Sequence, residues 1–311
     1  MTQHITLREV GLRDGLQIVK TIVPTAAKME WIRAEYAAGI QEIEVCSFVP
    51  AKLIPQFADS AELVSSSLSI QGLTVSALIP NMKGAQRGVE LGVHKLNYVM
   101  SVSEGHNLAN VRRTVAESLN DLRNIAAMLH DLPRDQRPLL SGGLSTSFGC
   151  TIEGLVSEDR VLELAELLVE AGADEIVLAD TVGHGGPHAV RRLFDRVLAS
   201  VGKVPVIAHF HDTRGLGLAN AAAALDAGVR HFDATLAGLG GCPHAPGATG
   251  NVVMEDLAFL CETMGYSTGI DITRLVAVRQ ILARELPNEK LSGAVALAGL
   301  PRKIPQFTAV A

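Results

Sequence analysis

Short runs rich in β-branched residues alternate along the chain with longer Ala- and Leu-rich stretches, almost to its end. The short runs cover residues 5–10, 42–48, 73–79, 95–101, 139–147, 175–180, 205–211 and 231–236, and each has the length and composition of a buried strand. Helical patterns lie between them, for example over 26–38, 111–130, 158–171 and 216–227. Four helical stretches run into Gly39, Gly92, Gly172 and Gly228 just before the next strand. Glycine there supplies the left-handed residue that ends a helix without Cβ strain.

Eight strand–helix units predict a parallel sheet with right-handed crossovers. An open doubly wound sheet uses the same alternation, but a count of eight is what closes a (β/α)8 (TIM) barrel of roughly 250 residues. The expected fold is therefore α/β: a barrel over residues 1–270, with a C-terminal helical extension over 271–311 packed on it. The helical pattern at 272–284 belongs to that extension.

Composition narrows the function. Of 311 residues, 48% are hydrophobic and 19% charged, enough for a large core. A net charge of −6 argues against binding a nucleic-acid backbone. The cysteines at 46, 150, 242 and 261 form no CxxC pair, which points to free thiols in a reducing compartment. The N-terminal residues lack a basic start followed by an apolar stretch, and no run approaches about 18 apolar residues. A cytoplasmic protein without a membrane span is expected.

Barrel enzymes carry their chemistry at the carboxyl ends of the strands, and the unusual polar residues of this chain cluster there. The first strand carries Glu9 and leads into Arg13 and Asp14, the second bears Glu44, and the sixth ends at Asp180. The seventh ends in His209 and His211, and a glycine-rich segment with Cys242, His244 and Asn251 follows the eighth. His209 and His211, two apart on a strand, share one face. With Asp14 and Asn251 as oxygen ligands they can hold one divalent cation, and mixed nitrogen and oxygen donors suit Mg2+ or Mn2+, with Zn2+ also compatible. Arg13 is either an ion-paired arginine or a rigid donor aimed at an oxyanion. Glu44 and Asp180 either order neighbouring side chains or meet substrate directly. Cys242 is a candidate acid or base, and His244 stands near enough in sequence to tune it. Cys46 and Cys261 read as small buried hydrophobes, and Cys150 is left open.

Arg-Asp-Gly-Leu-Gln at 13–17, Ser-Phe-Val at 47–49, His-x-His-Asp-Thr at 209–213, Gly-Leu-Gly-Gly-Cys-Pro at 238–243 and Gly-Ala-Thr-Gly-Asn at 247–251 resemble the hydroxymethylglutaryl-CoA lyase family. The wider resemblance is to barrel metallolyases that include isopropylmalate and homocitrate synthases. It runs from about residue 5 to residue 270, and the cysteine segment is its most specific part. The resemblance implies a metal-dependent lyase that splits 3-hydroxy-3-methylglutaryl-CoA, or a close analogue, into acetyl-CoA and a keto acid. It implies Asp14, His209, His211 and Asn251 as metal ligands, Arg13 as enolate stabiliser and Cys242 as acid/base. Glu44 and Asp180 support the site, Lys20 stands near the coenzyme A mouth, and Gln17, Ser47 and Phe48 belong to substrate-side motifs. A homo-oligomer, dimer or tetramer, is expected.

The chain departs from the family pattern at Ile18-Val19, at Thr151-Ile152, over 214–217 and at His244. These departures leave room for a different 3-hydroxyacyl-CoA. Two further alternatives are an acyl-CoA-dependent 2-oxo acid synthase and an inactive metabolite-binding barrel.

Overall fold

The alternation of apolar runs closes into a cylinder. The structure, a computed structural model, describes residues 2–240 and 250–302. Strands β1 (Thr6–Glu9), β2 (Glu42–Ser47), β3 (Thr74–Ile79), β4 (Lys95–Ser101), β5 (Leu139–Ser145), β6 (Glu175–Asp180), β7 (Val206–Phe210) and β8 (His231–Ala234) pair in parallel in chain order. The seam forms where β8 pairs with β1, Arg8 standing opposite Asp233. This is the TIM barrel that the count of eight predicts.

Helices α1 (Thr25–Ala37), α2 (Ser60–Leu68), α3 (Met82–Leu91), α4 (Glu104–Val111), α5 (Val115–His130), α6 (Glu158–Glu170), α7 (Pro187–Val201) and α8 (Gly217–Asp226) occupy the crossovers. Each buries one stripe on the barrel. On α7 the stripe is Val190, Leu193, Phe194 and Val197, spaced for a 3.6-residue period. After β8 come α9 (Met254–Thr263), α10 (Ile272–Glu285) and α11 (Ala294–Ala298). Among the described residues no helix is long and apolar enough to cross a membrane.

The four terminating glycines have positive φ: 108° at Gly39, 78° at Gly92, 104° at Gly172 and 104° at Gly228. Gly39 has a second constraint, because a Cβ there would run into the backbone of Gly269 and Ile270. One helix differs from expectation. The pattern over 111–130 is not continuous: α4 ends at Val111, Arg112 turns left-handed (φ 58°), and α5 restarts behind Thr114. The Thr114 hydroxyl accepts from the Glu117 amide while the Glu117 carboxylate accepts from the Thr114 amide. This reciprocal cap nucleates a new helix more favourably than continuing the old one.

Strand side chains alternate between the helices and the lumen, and the lumen holds charge. Arg8 contacts Asp233 and Glu175 at 2.6 Å each, and Lys95 contacts Glu42 at 2.7 Å and Glu175 at 2.9 Å. All five side chains are largely or wholly buried. Buried charges persist only when paired in this way. This network floors the cavity above it.

Candidate metal centre

The chain leaves β1 into a π-helical turn, Gly11–Gly15, which aims Arg13 and Asp14 over the end of the barrel. Glu9 braces that turn from behind. Its carboxyl oxygens accept from the Gly11 amide at 2.5 Å and from the Leu236 amide at 3.0 Å, so the loops after β1 and β8 share one anchor. Gly240 closes the other side: a Cβ there would lie 2.9 Å from Asn251 Nδ2 and 3.1 Å from Gly15 Cα.

His209 is the fourth residue of β7, and His211 follows just beyond the strand in a bridge with Asn251. The i, i+2 spacing puts both rings on one side, with the two Nε2 atoms 3.1 Å apart. His211 Nε2 lies 3.7 Å from Asp14 Oδ2. Asn251 donates to that same Asp14 oxygen at 2.7 Å and to the Leu239 carbonyl at 3.3 Å. Asp14, His209 and His211 thus form a group of donor atoms all within 4.8 Å of one another, close enough to share one metal ion.

Electrostatics favours the metal-binding forms of His211 and Asp14. Burial pulls the His211 pKa down to about 4, against the opposing charge of Asp14, so its imidazole is neutral at pH 7. Burial alone would raise the Asp14 pKa; Arg13 and the two histidines outweigh it and hold it near 2. His209 is pulled down by burial but raised more by its bond to Asp233, and ends above its ordinary value. The Asp233 carboxylate meets His209 Nδ1 at 3.1 Å, which turns Nε2 toward His211. A carboxylate behind a metal-binding histidine fixes tautomer and ring orientation. Two imidazoles, an ionised carboxylate and an adjacent amide form a donor set that fits a divalent cation, whose binding would displace the proton from His209.

Arg13 is held on two sides. Its Nε donates to Glu44 Oε2 at 2.5 Å and its Nη1 to Asp14 Oδ1 at 2.6 Å. Glu44 also accepts from Asn97 Nδ2 at 2.8 Å. Of the two carboxylates read from the sequence as supports, Glu44 therefore orders Arg13. Asp180 instead accepts from the backbone amides of His184 and Gly185 at 2.8 and 2.9 Å, and so shapes the loop after β6.

Arg13, Asp14, Glu44, His209 and His211 line a cavity of about 530 Å3, inside the range of small-molecule sites. Gln17 lines it; Lys20 is exposed and does not line it. Ser47 and Phe48 do not line it; they border a separate smaller hollow behind Val49 and Pro50, where the Ser47 hydroxyl accepts from the Val49 amide. Cys242 and His244 lie outside the described residues. Cys46 and Cys261 are buried, and burial pushes both thiols up to about 12. Cys150 is buried in a tight turn, where its sulfur accepts from the Ser103 hydroxyl at 3.0 Å.

Sequence reading overlooked Arg8, Asn97 and Asp233. Their signal was a charged or amide side chain inside an otherwise apolar strand, two residues from another inward position. Strand ends drew attention away from it.

A family model described as HMGL-like matches residues 4–282. A hydroxymethylglutaryl-CoA lyase of Bacillus subtilis is 35% identical over 293 residues, covering 93% of this chain and 97% of that protein. An (R)-citramalyl-CoA lyase of Chloroflexus aurantiacus is 37% identical over 296 residues, covering 91% and 92%. The solved structure of an HMG-CoA lyase from Acinetobacter baumannii, in complex with coenzyme A and 3-methylmalate, superposes with a TM-score of 0.90 at 39% identity, covering 98% of each chain.

Proposed function

The chain belongs to the HMGL-like family, and from that premise we propose that it cleaves a carbon–carbon bond in a 3-hydroxyacyl-CoA, with 3-hydroxy-3-methylglutaryl-CoA as the reference substrate. The observation that carries this reading is the convergence of Asp14, His209 and His211, with Asn251 beside them, next to a doubly anchored Arg13. Coenzyme A thioesters are what the relatives' names share. The barrel over 1–270 is the catalytic unit in this reading, and the segment from 271 is an extension that packs on it.

Asp14, His209, His211 and Asn251 hold Mg2+ or Mn2+. The cation supplies Lewis-acid polarisation, which makes a nearby substrate alcohol more acidic. The proton of the C3 hydroxyl passes to Cys242 as its thiolate, the C2–C3 bond breaks, and its electron pair moves into the thioester half as an enolate. Arg13 meets the negative charge on the enolate oxygen. Glu44 and Asp14 fix its Nε and Nη1, so its remaining donors are aimed before the charge develops. Cys242 gives a proton to C2, which releases acetyl-CoA, and the other half leaves as a 3-oxo acid, acetoacetate for the reference substrate. Glu9 keeps the loops after β1 and β8 in register through Gly11 and Leu236.

The direct test is acetyl-CoA release from 3-hydroxy-3-methylglutaryl-CoA by the full chain with Mg2+ or Mn2+. Turnover that disappears with chelator and returns with metal is expected; no release with either metal would refute the reading.

A further inference from the structure

The cavity does not stop at the metal centre. His209 pairs across the ladder with Ala179, while Val177 lies two residues deeper on the same strand and also borders the cavity. Two strand residues correspond to about 7 Å, so the void continues roughly that far below the ligand histidine. Barrel interiors are ordinarily filled there by layers of bulky branched side chains. Here the inward position of β5 opposite Val177 is Gly143. Its neighbour Gly142 faces the helices, where a Cβ would touch Leu168 and Ala173, so strand alternation turns Gly143 to the lumen. Val99 and Val177 on either side of it, and Asn97 below Val99, are half-exposed to the cavity, although all three are strand residues.

We propose that this inward branch, opened by Gly143 between Val99 and Val177, takes an uncharged C3 substituent of several carbons, so that the preferred substrate is a 3-hydroxy-3-alkylglutaryl-CoA with a group longer than methyl. The inference rests on the reading of the chain as a 3-hydroxyacyl-CoA lyase. Its polarity follows from the floor. Arg8 and Lys95 are committed to Asp233, Glu175 and Glu42, three carboxylates against two cations, and leave no free positive charge for a second carboxylate. Val99, Val177 and Ala179 give the walls an apolar lining suited to an alkyl chain.

Gly143 is then a specificity-determining residue. A Cβ at this position would sit 3.3 Å from the Tyr98 carbonyl oxygen and 3.4 Å from Val99 Cγ2, so alanine fits with little adjustment and valine fills the branch. The test compares kcat/KM for 3-hydroxy-3-butylglutaryl-CoA and for the methyl parent in the wild type, Gly143→Ala and Gly143→Val. In the wild type the butyl-to-methyl ratio is expected above about 1, and in Gly143→Val it falls at least about tenfold, with Gly143→Ala between them; a few methylenes in an apolar pocket support discrimination of that order. If Gly143→Val does not fold, the fall in Gly143→Ala decides. A wild-type ratio below that limit, or one that the substitutions leave unchanged, overturns the proposal. If neither thioester is cleaved, the lyase reading has failed, and calorimetry decides the branch separately. Tighter binding of the butyl compound, reversed by Gly143→Val, supports it; equal binding of both compounds refutes it.

Discussion

Arg8 Nε and Asp233 Oδ1 lie 2.6 Å apart across the seam where β8 closes on β1. The other oxygen of Asp233 meets His209 Nδ1. One carboxylate therefore ties barrel closure to the orientation of a candidate metal ligand, and Arg8 keeps that carboxylate ionised.

Asp233→Asn removes the charge from this relay while preserving its shape. Weakening such a partner behind a ligand histidine typically costs about 10- to 100-fold in metal affinity. Titration calorimetry with Mn2+ should show a loss of that size in a variant with unchanged circular dichroism. Unaltered affinity would mean that the His209 ring is held by packing alone.

Arg13→Gln keeps a donor but loses the charge and the rigid fork. Removal of a preorganised oxyanion donor costs roughly 100- to 1,000-fold in kcat, and that loss is expected with Mn2+ stoichiometry intact. Near-normal turnover would take Arg13 out of the reaction and leave it as a partner of Glu44 and Asp14.

Cys242→Ser replaces a proton donor by one far less acidic. Turnover should fall by about 100-fold or more, the usual scale of a positioned acid or base, with metal content unchanged. Loss of metal instead would make this thiol a ligand.

The barrel was readable because its strands differ from its helices in period, length and β-branched content, and four glycines marked the boundaries. The break at Arg112 was also written in the chain, as Thr114 followed three residues later by Glu117, but the apolar period across 111–130 masked it. At the site, Asp14, His209, His211 and Asn251 could be nominated from their spacing and their place at strand ends. Asp180 stands at a strand end as well, yet its carboxylate turns to the His184 and Gly185 amides. Sequence gives a residue's level in the barrel but not the direction a loop imposes on it. Arg8, Asn97 and Gly143 escaped notice because lumen and helix faces differ only by strand phase, which the pairing register settles.

Glu35 supplies a pH signature independent of catalysis. It is fully buried on α1 with no salt bridge among the described residues, and burial pushes its carboxyl up to about 8; the nearby Glu9 is raised as well, by burial and by Glu35. The folded chain therefore holds a proton at Glu35 that the unfolded chain releases near its ordinary value of 4.5. The stability this confers is complete below that value and is lost as pH rises through about 8. Urea unfolding at intervals from pH 5 to pH 8.5 should show a steeper fall in the wild type than in Glu35→Gln. Parallel curves would show that Glu35 does not titrate in this window.

The most direct measurement is anomalous diffraction from crystals of the full chain soaked in Mn2+. A single manganese peak within bonding distance of Asp14, His209, His211 and Asn251 is predicted, and it should vanish in His211→Ala. A peak bound by other residues, or none at these four at saturating metal, would contradict the account.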